Sequence, residues 1–208
     1  MTDNTTRKIT VVSSGLSQPS STRLLADRIA AATVASLEGK GITAEVTVIE
    51  LRDLAQDITN NLLTGFAPPK LEAAITAVTE ADGLIAVTPI FTTSYSGLFK
   101  SFVDVLDPQS IHGLPVLLGA TGGTERHSLA IDYAMRPLFT YLHAVPVSTG
   151  VYAASSDWGS AEDALPGRID RAAGELAALV VASDRSQQIR DPFALPEGFS
   201  PVGGYGAQ

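Results

Sequence analysis

Cysteine is absent from this chain of 208 residues. Disulfide bonds, thiolate zinc sites, thiol nucleophiles and cysteine-bound iron–sulfur clusters are therefore excluded. The absence fits a cytosolic protein, and the polar N-terminus MTDNTTRK does not have the pattern of a secretory signal. The sequence also has no run of 18 or more apolar residues that would span a bilayer. We therefore expect a cytoplasmic protein without a membrane segment.

Positive charge is scarce, because 14 Lys and Arg residues are outnumbered by 22 Asp and Glu, for a net charge of −8. Such a surface does not attract nucleic-acid phosphates or anionic lipids, so neither is expected as a partner. Histidine occurs only at His112, His127 and His143, and no His/Asp/Glu group has the spacing of a metal site. The G-x-S-x-G elbow of serine hydrolases is also missing. The sequence thus disfavours hydrolysis and predicts no bound metal.

Short apolar, β-branched runs alternate with helical periodicity along most of the chain. The predicted strands are residues 9–13, 42–49, 83–87, 114–120 and 145–151. The predicted helices are residues 25–37, 71–80, 94–106, a helix through 131–142 bent at Pro137, and 160–182, whereas residues 58–69 read as irregular. This alternation predicts an α/β protein with a doubly wound, five-stranded parallel sheet and helices on both faces.

The length predicts one domain, which we place at residues 1–185. Residues 186–208, which are rich in proline and glycine, are expected to form an extended C-terminal tail. In such open sheets a ligand binds beyond the carboxyl ends of the strands. The loops after the first, third and fourth strands are therefore the candidate binding segments.

The loop after the first strand, residues 14–22, is rich in hydroxyl side chains and has no charge. A helix begins near Ser20 or Ser21, and its free N–H groups and dipole suit a phosphate. The loop is neither a P-loop nor a G-x-G-x-x-G motif. On its own it is also compatible with a polar loop in which Ser or Thr caps a helix.

The other two loops add apolar surface and backbone flexibility. After the third strand, Ile90 and Phe91 lie among hydroxyl residues, a mixture that suits a flat heteroaromatic ligand but also a helix cap beside core or interface aromatics. After the fourth strand, Gly122 and Gly123 allow a close approach of the backbone to a ligand. His127 follows as a proton donor, a phosphate contact or a structural residue.

These three loops, in this order, resemble those of the flavodoxin-like NAD(P)H-dependent FMN reductases. The branch they resemble supplies reduced flavin to two-component monooxygenases, as in alkanesulfonate systems. The first family motif, G-S-x-R-x-x-S-x-[NT]-R, is matched at Ser20, Thr22 and Arg23, but Ser14 and Gly15 are exchanged and Ser17 replaces the usual arginine. The second, P-x-[YF]-x-x-S-x-x-G-x-[LF]-K-x-x-[ILV]-D, is matched at Pro89, Phe91, Ser94, Gly97, Phe99, Lys100, Val103 and Asp104. The third, A-T-G-G-[ST]-x-x-H, is matched by residues 120–127 and is followed by the Arg136-Pro137-Leu138 run.

The resemblance implies a flavodoxin-like strand order of 2-1-3-4-5 and hydride transfer from NADPH or NADH to the N5 atom of FMN, without a catalytic side chain. It implies flavin contacts from all three loops. The expected contact residues are Ser14, Ser17, Ser20, Ser21, Thr22, Arg23, Pro89, Ile90, Phe91, Thr92, Ser94, Thr121, Gly122, Gly123, Thr124 and His127. A homodimer or homotetramer and a flavin-dependent monooxygenase as partner are also implied.

Three alternatives stay open at the level of the sequence. The first is a quinone or azo-dye reductase on the same fold. The second is a flavodoxin-like electron carrier, disfavoured because carriers hold the flavin ring between aromatics whereas Trp158 lies far along the chain. The third is a nucleotide-binding regulatory module without turnover. Neither the choice of NADPH or NADH nor the retention or release of FMN follows from the sequence, and Arg23 and Arg126 do not decide the nicotinamide.

Overall fold

The computed structural model describes residues 6–158 and 164–183, which form a central sheet with helices on both faces. The strands are β1 (Thr6–Ser13), β2 (Thr43–Glu50), β3 (Gly83–Phe91), β4 (Ser94–Tyr95), β5 (Pro115–Gly122), β6 (Val145–Pro146) and β7 (Val151–Ala154). The α-helices are α1 (Ser21–Glu38), α2 (Ala55–Thr64), α3 (Pro69–Thr79), α4 (Gly97–Asp104), α5 (Arg136–Tyr141) and α6 (Ala164–Ala182).

The order of the parallel strands is β2-β1-β3-β5, with β6 and β7 following one another along the outer edge of β5. This confirms the predicted flavodoxin-like order, in which β6 and β7 together take the place of the fifth strand. The sheet has seven strands rather than five, because the predicted fifth strand is divided and β4 pairs antiparallel with the end of β3. The amides of Val145 and Val147 donate to the Leu114 and Val116 carbonyls at 2.8 Å, and the parallel register with β5 is taken up again at Val151.

Two apolar layers hold the helices to the sheet. On one face, α1 and α6 contribute buried side chains such as Ile29 and Leu176. On the other face, α2, α3, α4 and α5 contribute Phe99, Phe102, Phe139 and their neighbours. Both faces of the central strands are thus covered, which explains why β3 and β5 read as continuous apolar runs rather than as alternating ones.

The prediction of an irregular segment over residues 58–69 is wrong, because α2 extends to Thr64. Ile58 is buried on its inner side, and Gly65 ends the helix in a left-handed conformation with φ of 77°, its N–H bonded to the Asn61 carbonyl. Glycine at this position is a common C-terminal signal of helices. The Asn60-Asn61 pair, which suggested a loop, lies within the last turns of the helix.

The segment after β3 also differs from its prediction. The strand continues past Val87 to Phe91, and a two-residue turn at Thr92 and Thr93 leads back into β4. The helix predicted from residue 94 therefore begins only at Gly97, where the Ser96 hydroxyl accepts a hydrogen bond from the Phe99 amide at 3.2 Å. The extra strand residues move Phe91 away from the core and out to the end of the sheet.

The last helices follow the predicted periodicity with altered boundaries. Residues Ile131–Met135 form a π-helical turn, which passes into α5 with Pro137 in its first turn. The helix predicted over 160–182 is described from Ala164, and the predicted tail at 186–208 lies outside the described residues. In the part of the chain that the structure describes, no helix has the length and apolarity to cross a membrane.

Candidate functional site

A cleft of about 290 Å³ lies at the carboxyl ends of β1, β3 and β5. It joins all three of the loops that the sequence singled out. The predicted residues that line it are Ser17, Ser20, Ser21, Thr22, Pro89, Ile90, Phe91, Thr121, Gly122 and Gly123. Residues from three distant parts of the chain thus share one surface.

The first wall of the cleft is the loop before α1. The Ser20 hydroxyl caps this helix by accepting a hydrogen bond from the Arg23 amide at 3.2 Å. The first turn of α1 has no acidic residue, so the positive end of the helix dipole is not neutralised there. A Cβ atom at Gly15 would overlap the Ser20 hydroxyl, which shows how tightly the loop is folded. Amides and hydroxyls at a helix start suit an anion such as a phosphate.

Two threonine hydroxyls join the first loop to the third. The Oγ1 atoms of Thr22 and Thr121 lie 2.8 Å apart, and the two residues are only 2% and 4% exposed. In such a pair one hydroxyl donates its proton to the other, and the acceptor keeps its own proton. That second proton is available to a ligand oxygen in the cleft, so the pair both closes the floor and offers a donor.

Arg23 does not line the cleft. Its Nε donates to Asp27 at 2.8 Å and its Nη1 to Glu50 on β2 at 2.5 Å. The hydrogen bond to Asp27 raises the pKa of Arg23, and the charges of Asp27 and Glu50 add to this rise. The guanidinium is therefore engaged by two carboxylates, which reduces what it can give to a phosphate.

The second wall is the end of β3. Phe91 is 48% exposed and lines the cleft together with Pro89 and Ile90. The turn that follows places Thr92 and Thr93 at φ of 49° and 70°, a left-handed conformation that β-branched residues rarely adopt. Thr92 and Ser94 support this turn and are not among the lining residues.

Ser14 lies under the cleft rather than in its wall. It is fully buried, and its hydroxyl accepts a hydrogen bond from the Ser96 hydroxyl at 3.2 Å. Ser96 in turn receives a hydrogen bond from the Thr88 hydroxyl at 3.4 Å, and its amide donates to the same Thr88 oxygen at 3.0 Å. This buried network fixes the first loop to β3 and to the start of α4.

The third wall is the glycine loop after β5. The Tyr152 hydroxyl donates to the Thr124 carbonyl at 2.6 Å, and a Cβ atom at Gly122 would overlap that hydroxyl. Burial raises the pKa of Tyr152, and the nearby Asp157 carboxylate adds to the rise, so the phenol keeps its proton. Thr124 and His127 lie outside the lining, His127 being half-buried in a 3₁₀ turn over Glu125–His127.

A fourth segment reaches the cleft, and the sequence analysis missed it. Leu16, Ser155 and Trp158 complete the lining. Ser155 and Trp158 belong to a 3₁₀ turn that follows β7. The argument that distance along the chain keeps Trp158 from the site is therefore wrong. The sequence signal that could have placed Trp158 at the cleft was its position just after the last parallel strand. The carboxyl end of that strand lies at the same edge of the sheet as the three loops.

The cleft's donors and apolar surfaces fit FMN. Hydroxyls and amides gather at the start of α1, while Pro89, Ile90 and Phe91 offer a surface to a planar ring. Within residues 6–158 and 164–183, no Asp or Glu lines this cleft, so nothing there repels a phosphate. A larger groove of about 490 Å³ lies between β1, β2 and α3, but it carries Glu45, Glu72 and Glu80 and none of the predicted residues. The described residues contain no cluster of three or more metal-ligating side chains.

Comparison with known proteins identifies the family of this chain. A family profile described as NADPH-dependent FMN reductase matches residues 7–159. The chain is 37% identical over 175 residues to an FMN reductase (NADPH) of Pseudomonas aeruginosa, covering 83% of this chain and 91% of the relative. It has the same identity and coverage against an NADH-dependent FMN reductase, SfnF, of Pseudomonas fluorescens.

Solved structures show the same similarity. An oxidoreductase of Corynebacterium diphtheriae superimposes with a TM-score of 0.84 at 46% identity, over 86% of this chain and 99% of that one. The apo form of an NADH:FMN oxidoreductase, EMOB, gives a TM-score of 0.73 at 29% identity, over 86% and 90% of the two chains. The chain therefore belongs to the NADPH-dependent FMN reductase family.

Proposed function

We propose that this FMN reductase binds FMN in the cleft between the loops after β1, β3 and β5. The observation that carries the proposal is the Thr22–Thr121 hydroxyl pair, which brings residues from the first and third loops together in the floor of one cleft. A phosphate placed at the start of α1 would meet the amides and hydroxyls of Ser17, Ser20 and Ser21. The ring would then lie beside Pro89, Ile90 and Phe91.

In this arrangement the protein binds and orients, and it supplies no nucleophile. Bound FMN supplies the redox chemistry by accepting a hydride from a reduced nicotinamide. Phe91 and Ile90 would lie against the ring and keep water from one part of it, and the left-handed turn at Thr92 and Thr93 follows Phe91 at the end of β3. Tyr152 keeps the glycine loop in place through its protonated hydroxyl.

The hydride donor can be either NADPH or NADH, since two relatives that are both 37% identical to this chain are named for NADPH and for NADH respectively. We further propose that the reduced flavin leaves the site and supplies a partner monooxygenase. The occupation of Arg23 by Asp27 and Glu50 supports release, because the phosphate then lacks that arginine as a counter-ion.

One assay tests the reaction. Purified protein is mixed with NADPH or NADH at increasing FMN, and the loss of the reduced-nicotinamide absorbance is followed. A rate that rises with free FMN and saturates supports the proposal. Turnover only with an added quinone or azo dye favours the reductase alternative. If the protein holds flavin but shows no turnover with any acceptor, an electron carrier is favoured. The aromatic side chain of Trp158 in the cleft is compatible with that role.

The remaining features of the proposal concern the whole protein. We place the reductase domain at residues 1–185 and treat residues 186–208 as a tail that is not part of this domain. We place the whole protein in the cytoplasm. A homodimer or homotetramer is supported by the exposed apolar side chains of Leu63, Phe66 and Tyr133, each of which is 80% exposed. Light scattering on the full chain tests this, because a monomer at assay concentration would contradict it.

A further inference from the structure

Trp158 occupies a part of the cleft that the three family loops do not account for. It is the single tryptophan of the chain, and it lines the cleft from a turn that follows β7. The Asp157 carboxylate accepts a hydrogen bond from the Ala154 amide at 2.8 Å, which fixes that turn to the end of the strand. The ring is partly buried and packs on the apolar layer beneath α1 and α6. Its place in the cleft is therefore set by the fold.

Arg28 lies over the face of the Trp158 ring. Its guanidinium carbon lies 5.0 Å from the centre of the Trp158 ring, within the range of a cation–π contact. Arg28 follows Ser21 by seven residues on α1, so the two lie on the same face of the helix, two turns apart. Trp158 is thus fixed beside the first turns of α1.

This position is the end of the cleft at which a phosphate is expected. Trp158 lines the same cleft as Ser17 and Ser21, and its contact with Arg28 places it beside α1, the helix at whose start the phosphate is expected. Pro89 and Phe91 form the part of the lining suited to the ring. FMN ends at this phosphate. In FAD the chain continues from the same phosphate into a second phosphate and an adenosine. An indole fixed beside α1 would leave room for FMN and would obstruct the second phosphate and the adenosine of FAD.

We infer that Trp158 contacts the flavin at the phosphate end of the cleft and makes the site selective for FMN over FAD, with Arg28 as a positioning residue for its ring. This inference rests on the proposed FMN site. It assigns a role to a segment that none of the three loop motifs contains. It also explains why a charged side chain on α1 covers an aromatic ring instead of pairing with a ligand.

The test is the ratio of the dissociation constants for FAD and FMN, measured by titrating oxidised flavin in the absence of nicotinamide. Trp158→Ala is expected to weaken FMN by about tenfold, the size of one well-placed aromatic contact, while FAD binding stays equal or improves. The ratio should therefore fall by about tenfold or more. Trp158→Phe keeps a ring at the same place, and it should hold the ratio within about threefold of the wild type.

Arg28 provides a second readout that does not depend on turnover. Arg28→Gln removes the cation above the ring, and it should lower the FAD/FMN ratio in the same direction as Trp158→Ala by a smaller factor. Arg28→Lys keeps the cation and should restore most of the ratio. Tryptophan emission comes from Trp158 alone, so a change in its emission maximum in Arg28→Gln reports a changed environment of the ring.

The outcomes separate this inference from the function on which it rests. A wild-type protein that binds no FMN overturns both. A wild type that binds FMN, with Trp158→Ala leaving the ratio unchanged, overturns the selectivity role alone. Equal weakening of FMN and FAD in Trp158→Ala, together with a lower melting temperature that Trp158→Phe restores, also overturns it, because the ring then serves only the fold.

Discussion

Replacing the hydroxyls of Thr22 and Thr121 separates their part in folding from their part in binding. Valine has the shape of threonine without the hydroxyl. The single variant Thr22→Val leaves the Thr121 hydroxyl, which is 4% exposed, without its 2.8 Å partner. A buried polar group left without a partner costs about 1–3 kcal/mol in the free energy of unfolding. Thr121→Val should cost a similar amount for the same reason.

The double variant should behave differently in the two assays. With both hydroxyls replaced by methyl groups no polar atom is stranded, so the free energy of unfolding should return to within about 1 kcal/mol of the wild type. FMN binding should not return, because the donor that the pair offers to the phosphate is gone. A hydrogen bond to a charged group is worth about 1.5–3 kcal/mol, which corresponds to a loss of affinity between about tenfold and 150-fold.

The assays are urea denaturation without flavin and fluorescence titration of FMN. Thr33→Val is the matched control, because Thr33 is also buried on α1 but donates to the Ile29 carbonyl at 2.9 Å, away from the cleft. It should leave the FMN dissociation constant unchanged. If the double variant binds FMN as tightly as the wild type, the hydroxyl pair serves only to join the loops, and its contact with the phosphate is refuted.

Three further changes test the walls of the cleft. Gly15→Ala places a Cβ atom on the hydroxyl that caps α1, so it should lower stability by about 1–3 kcal/mol and abolish FMN binding. The Cβ atom of Gly123→Ala meets nothing within 4 Å, so this variant should change stability little. Equal effects of the two variants on stability would contradict the fold of the first loop. Tyr152→Phe removes the 2.6 Å hydrogen bond to the Thr124 carbonyl and should cost about 1 kcal/mol near neutral pH. Because burial raises the pKa of Tyr152 above its unfolded value near 10, this advantage of the wild type should persist below about pH 10 and disappear as the pH rises through the folded pKa; a constant difference in denaturation midpoint would contradict it. Thr93→Gly relieves a φ of 70° and should raise the melting temperature by about 2–4 °C per kcal/mol gained; a lower melting temperature would show that the turn is not strained.

The convergence of the three candidate loops on one cleft could be predicted from the sequence because strand ends converge in this fold. Thr22 and Thr121 are separated by 99 residues, yet each follows or ends a parallel strand. The carboxyl ends of parallel strands lie along one edge of the sheet, so the loops had to meet there. Periodicity alone located the strands well enough for that conclusion, even though the boundaries moved.

The details that no sequence pattern indicated depend on contacts between distant parts of the chain. Arg23 matches a family motif, but its partner Glu50 comes from the neighbouring strand β2, and no local pattern indicates that pairing. The Thr92-Thr93 turn lacks the Asn or Gly that signals a tight hairpin, so the short strand β4 was not predicted. Trp158 was judged by its distance along the chain from the three loops. The turn that contains it follows β7, and the position of that strand in the sheet brings Trp158 to the cleft.

The crystal structure of the complex with oxidised FMN is the most direct measurement of the central claim. The account predicts the phosphate within hydrogen-bond distance of the amides or hydroxyls in the segment from Ser17 to Thr22, with the ring against Pro89, Ile90 and Phe91. Flavin density in the groove between β2 and α3, or an empty cleft at a saturating FMN concentration, would contradict it.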